Sequence, residues 1–126
     1  MNWNILCSEI LRNGGRTTHY AYLGRLEEKL AEADRRGDFT TLSDAEVALI
    51  IEADGSNFRL RDDEYRFVGK NDGIFCYEGT KMSMACGRTS RYVLIVCGSG
   101  TNPSRVKNHC LKAVDYGLSS IELMKV

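Results

Sequence analysis

A chain of 126 residues, 43% hydrophobic and 27% charged, is long enough for one domain with a real core and too ordinary in composition for a fibrous or disordered class. Seventeen basic residues balance seventeen acidic ones, which excludes a bulk field drawing the chain to nucleic acid while leaving room for local patches. No apolar run approaches the roughly 18–20 residues of a membrane span, and Met1-Asn2-Trp3-Asn4 lacks the pattern of a signal peptide, so a monomeric, cytoplasmic domain is expected.

In chain order, Trp3, Leu6, Cys7, Ile10 and Leu11 form one apolar stripe, which predicts a short helix closed by Asn13-Gly14-Gly15. Thr18 to Leu23 alternates polar and apolar residues around two tyrosines and reads as a strand. Leu26 to Arg36, LEEKLAEADRR, has the composition of a helix. Ser43-Asp44-Ala45-Glu46 is a capping box opening a helix with Val47, Ile50 and Ile51 inward, stopped at Asp54-Gly55.

From Phe58 the period changes to two. Tyr65–Val68, Ile74–Tyr77 and Met82–Cys86 read as short strands joined by turns at Asn71-Asp72-Gly73 and Glu78-Gly79-Thr80. Tyr92 to Cys97 is continuously apolar, as a central strand covered on both faces would be. Asn102 and Pro103 then suit the cap and first turn of a helix with Val106, Cys110 and Ala113 inward, ended by Gly117. The last eight residues read as a short strand or a docked tail. Tight turns make the strands antiparallel, and a strand apolar on both sides needs helices over the sheet, an α+β arrangement.

Candidate chemistry is sparse. The five cysteines (Cys7, Cys76, Cys86, Cys97, Cys110) lie in apolar patterns without zinc-binding spacing and are expected to be buried. Two distant histidines, His19 and His109, offer no metal site, and no cofactor is expected. The turn from Cys97 to Thr101, with Gly98 and Gly100, could present backbone N–H groups to an anion or use Cys97 in phosphotransfer. The first arginine after Cys97 is Arg105, eight residues on, where a phosphate-binding cysteine loop needs one about six on. Asp62, Asp63 and Glu64 read as a solvated turn or a cation site outside the EF-hand pattern. Arg88, Arg91, Arg105, Lys107 and Lys112 form either a solvated rim or a surface for an acidic partner or phosphoinositide.

The order and length of these elements resemble the profilin family over essentially the whole chain. The segments that carry the resemblance are Met1-Asn2-Trp3 opening a helix, Phe39 to Val47 entering the second helix, Cys86 to Val96 as a basic hairpin and apolar strand, and Gly98 to Tyr116 as a turn and C-terminal helix. The resemblance implies a non-enzymatic module with a central antiparallel sheet, N- and C-terminal helices on one face and a further helix on the other. It implies binding to monomeric actin through Arg66, Phe67, Lys70, Arg91, Asn102, Arg105, Lys107 and Asn108, with regulation of actin polymerisation and nucleotide exchange. A polar and cationic rim around Phe67 is sensible interface chemistry on its own terms.

The resemblance also implies a site for proline-rich partners such as formins between the terminal helices, with Trp3, Leu6 and Tyr116 at the matching positions. Leu6 stands where an aromatic is usual, Leu30 or Ala31 where a tryptophan is, and Ile121–Val126 replaces a terminal tyrosine, so this binding is expected to be weak. Trp3 reads equally as a core residue. Phosphoinositide contact through Arg88 and Arg91 is implied, as is strand rather than helix for Ala31 to Ala33. The alternatives to an actin binder are the anion-binding or phosphotransfer domain at Cys97–Thr101 and a small adaptor or inhibitor sharing the layout.

Overall fold

Asn2 starts the first helix by accepting the N–H groups of Asn4 and Ile5 on its side-chain oxygen, at 3.0 and 3.3 Å. The computed structural model describes residues 2–25, 28–35 and 41–124. Helix α1 spans Trp3–Gly14 and buries Leu6, Cys7, Ile10 and Leu11, the stripe read from the sequence. Strand β1, Thr18–Arg25, follows.

The described part of the LEEKLAEADRR stretch is a strand, β2 (Glu28–Asp34), which corrects the helix expected from composition; Leu26, Glu27 and Arg36 lie outside the described residues. Helix propensity is a weak prior, and here tertiary pairing overrides it. β2 ladders antiparallel with β1 from Tyr20↔Asp34 to Arg25↔Glu28 and places Ala31 in the core.

Helix α2, Asp44–Ala53, opens on the expected capping box: Ser43 Oγ accepts the Glu46 N–H at 3.2 Å, and Glu46 Oε1 accepts the Ser43 N–H at 3.0 Å. Val47 and Ile50 are buried and Ile51 is half-buried. Phe39 and Thr40, at the entry to this helix, lie outside the described residues. Glu46 also accepts from Arg61 Nε and Nη2 at 2.7 and 2.8 Å, and Arg61 bonds the Thr41 carbonyl at 2.8 Å.

A meander follows: β3 (Phe58–Leu60), β4 (Asp63–Asn71), β5 (Ile74–Glu78), β6 (Ser83–Arg88) and β7 (Val93–Gly98). Asp72 and Gly73, at φ 48° and 83°, make the two-residue turn between β4 and β5. The strands form one antiparallel sheet in the order β2-β1-β7-β6-β5-β4-β3.

β7 lies inside this sheet and is buried on both sides, as its unbroken apolar run requires. Its Leu94 and Val96 join Ile10, Leu23, Cys110 and Val114 beneath α1 and α3. Its Val93, Ile95 and Cys97 join Tyr20, Tyr22, Tyr77 and Ile50 beneath α2.

Helix α3 spans Pro103–Leu123, capped by Asn102 Oδ1 on the Arg105 N–H at 3.2 Å. It does not stop at Gly117, and the described part of the final segment is helical rather than strand or tail. Gly117 is a contact point: a Cβ there would lie 2.7 Å from Leu94 and 2.8 Å from Ile10. Glycine lets α3 settle between α1 and the sheet, and the helix then runs on to bury Ile121. Lys125 and Val126 lie outside the described residues. Among the described residues, no helix is long and apolar enough to cross a membrane.

Among the described residues, three carboxylates titrate below their ordinary values. For Glu46 the Arg61 hydrogen bonds dominate over burial. For Glu32 and Asp63 burial acts upward, but hydrogen bonds outweigh it, from Thr41, Tyr20 and Lys29 on Glu32 and chiefly from Thr80 on Asp63. Lowered folded values contribute stability that is present above the unfolded values of about 3.9–4.3 and lost as pH falls through the folded ones. Urea midpoints are therefore expected to fall between pH 6 and pH 3, and Glu46→Gln should flatten that slope while lowering the pH 6 midpoint.

Candidate binding surfaces

The eight residues expected to contact actin do not form one patch. Arg66 alternates along β4 with Phe67, and the neighbouring Val68 packs into the core under α3, so Arg66 lies on the α3 side of the sheet. Lys107, half-buried on α3, stands close enough to Cys76 of β5 to oppose the upward push of burial on that thiol. The next residue, Asn108, borders a hollow of about 330 Å³ between α3 and the β4–β5 turn, floored by Ile74 and Leu111 and rimmed by Lys112, Asn71, Asp72 and Asp115. Asn102 and Arg105 are exposed at the start of the same helix. Four of these residues lie on α3 or its cap, and Arg66 is on the same side of the sheet.

Phe67 and Lys70 lie on the opposite face of the sheet. The Phe67 ring packs 5.9 Å from Phe75 and 5.8 Å from Tyr77, at the margin of the core under α2. Lys70 Nζ sits 5.0 Å over the Phe75 ring. Arg91 is elsewhere again, in the β6–β7 turn, at the end of the sheet opposite the start of α3. Arg88, the last residue of β6 before that turn, approaches Asp54 at 3.4 Å, an exposed pair that contributes little to stability.

At the terminal helices, Trp3 packs against Tyr92, with ring centroids 5.4 Å apart and planes 46° apart. The Arg25 guanidinium lies 6.0 Å over the same Tyr92 ring. Sequence reasoning misses both partners: Tyr92 opens a buried apolar run and reads as part of it, and Arg25 carries no motif. Tyr116 donates to the Glu9 carboxylate of α1 at 3.2 Å, six residues and roughly 9 Å along the helix from Trp3. Leu6 is only 4% exposed and packs inward, whereas Ile5 beside it is 57% exposed. Leu30, where the resemblance would put a tryptophan, is half-buried against the core beneath α1 and α3.

The turn after β7 is used for packing. Cys97 faces the core under α2, and burial pushes its thiol up to about 12 despite Arg61 nearby. The Ser99 N–H donates to the Thr17 carbonyl at 3.0 Å and so does not point at a ligand. A protonated, inaccessible thiol corrects the phosphotransfer reading of Cys97. The other four cysteines are buried too, with Cys7 and Cys86 also raised to about 12. A thiol reagent is expected to label none of the five in the native protein and all five in denaturant. Among the described residues, no three His, Cys, Asp or Glu side chains gather as metal ligands, and Asp63 instead accepts the Thr80 N–H and hydroxyl.

No family model and no curated protein matches this sequence. Solved structures do. Profilin II of Acanthamoeba castellanii superposes with a TM-score of 0.67 at 20% identity, over 94% of this chain and 98% of that one. Mouse profilin IIa, solved in complex with a double repeat from the FH1 domain of mDia1, gives 0.61 at 15% identity, over 95% and 99%. Myxococcus xanthus MglB gives 0.57 at 20% identity, over 98% and 89%. Among the described residues, three helices around a seven-stranded antiparallel sheet, with the terminal helices together on one face, give this chain the profilin-like fold.

Proposed function

We propose that the chain binds monomeric actin through the outer face of α3 and the strands beside it. Since this fold is found in MglB as well as in profilins, the fold alone decides no partner, and the surface has to. The observation that carries the reading is the grouping of Asn102, Arg105, Lys107 and Asn108 along α3, with Arg66 on the same side of the sheet and Asn108 at the edge of a hollow with an apolar floor. Cations and amides, together with Asp72 and Asp115, around a small apolar recess are the makings of a polar rim and an anchor pocket. Phe67, Lys70 and Arg91 fall outside that contact. Binding that favours an open nucleotide cleft would speed nucleotide exchange on actin by population shift. The test is a titration of fluorescently labelled monomeric actin with the protein. Saturable one-to-one binding with faster release of bound nucleotide supports the reading, and no binding overturns it.

A second, weaker contact for proline-rich segments has its own support. Trp3 packed against Tyr92, and Tyr116 anchored to Glu9 further along α1, offer aromatic surfaces against which a polyproline II segment can pack. Trp3 is the only tryptophan, so a polyproline titration followed by its fluorescence reports on this surface directly. Tyr116→Ala, which keeps Trp3 as the reporter, is expected to weaken the response without changing actin binding.

A further inference from the structure

β2 forms one edge of the sheet, and among the described residues its strand neighbour is β1 alone. Between this edge and α1 runs an open groove of about 530 Å³, a size that accommodates a ligand of several residues. Asn4, Ser8 and Arg12, four residues apart, line it as one polar stripe on the helix, on the flank away from α3. Residues 32–35 line the strand side. The Arg35 N–H donates to the His19 carbonyl at 2.9 Å. Antiparallel alternation then turns the backbone N–H and C=O of Glu32 away from β1, on the groove side.

The charges in the groove are unequally committed. Glu32 already accepts hydrogen bonds from Tyr20, Thr41 and Lys29, and Asp34 is engaged as well. Arg35 gives one amino group to the Leu11 carbonyl at 2.7 Å, which leaves the rest of its donors. Arg12 is exposed in the last turn of α1.

We propose that this groove takes an extended acidic segment of another protein as an eighth strand. The backbone of that segment continues the β2 ladder, and its carboxylates meet Arg12 and Arg35. Strand addition gives affinity through main-chain hydrogen bonds, and the two guanidinium groups select the acidic sequence. This surface is separate from both contacts proposed above, so it stands whether or not actin binds.

The probe is the hexapeptide acetyl-Thr-Glu-Val-Glu-Val-Thr-amide, titrated into nitrogen-15-labelled full-length protein and read by amide chemical shifts. Saturable shifts in residues 31–35 and along Asn4–Arg12 are expected. Methylating alternate backbone nitrogens of the peptide should abolish saturation, and replacing its glutamates by lysine should do the same. Arg12→Glu, an exposed change checked by an unaltered melting curve, should weaken the acidic peptide roughly tenfold. Equal binding of the methylated or lysine peptide overturns the proposal, as does the absence of shifts in β2 at millimolar peptide.

Discussion

Gly98→Ala is expected to destabilise the protein by on the order of 3 kcal/mol, the upper end of ordinary overpacking costs. A Cβ at Gly98 would collide with the carbonyl oxygen of Thr17 and would lie 3.1 Å from Val106. The collision is with backbone, which cannot rotate away as a side-chain tip can. That carbonyl also holds the Ser99 N–H at 3.0 Å, so any shift that relieves the clash also disturbs a hydrogen bond between the turn and the start of β1. A loss of this size should lower the melting temperature by roughly 10 °C in a domain of this length. Ser99→Ala, at a half-buried position in the same turn, is expected to change it little. Equal melting temperatures for Gly98→Ala and the parent protein would show that the turn can move away from the Thr17 carbonyl at little cost.

What the sequence revealed was what is encoded locally. The capping box at Ser43–Glu46, the Asp72-Gly73 turn and the Asn102-Pro103 start each have a hydrogen-bonding or φ/ψ reason within four residues, and each stands where expected. The burial of Val93–Cys97 on both faces was legible because an unbroken apolar run this short escapes water most simply as a strand covered on both sides. The failures came where distant packing decides. β2 has a helical composition but pairs with β1 across a short connection, and Gly117 resembles a stop until Leu94 and Ile10 are seen against it.

The candidate surfaces failed for the same reason. Pleating separates Arg66 from Phe67, adjacent in sequence, onto opposite faces of the sheet, and no spacing rule announces that Tyr92 meets Trp3 across the length of the chain. Resemblance supplied residue names, but only the sheet register sorts them into contacts.

That sorting bears on the second large effect. Reversing two charges on α3, Arg105→Glu with Lys107→Glu, is expected to weaken actin binding about a hundredfold, within the range for disrupting charge pairs at an interface. Arg105 is exposed and Lys107 half-buried at the rim, so the fold should survive, as an unchanged thermal melt would show. Arg91→Glu makes a single reversal in the β6–β7 turn, beyond the proposed contact, and should change affinity less than about twofold, well below the roughly 1.4 kcal/mol that a tenfold change represents. Part of the double reversal's effect is long-range attraction during encounter, which added salt screens; the gap between parent and variant should therefore narrow with ionic strength without closing. Equal affinities for parent and double variant at low salt would remove α3 from the contact. A large loss in Arg91→Glu instead would move the contact to the β6–β7 turn, on the other side of the hollow bordered by Asn108.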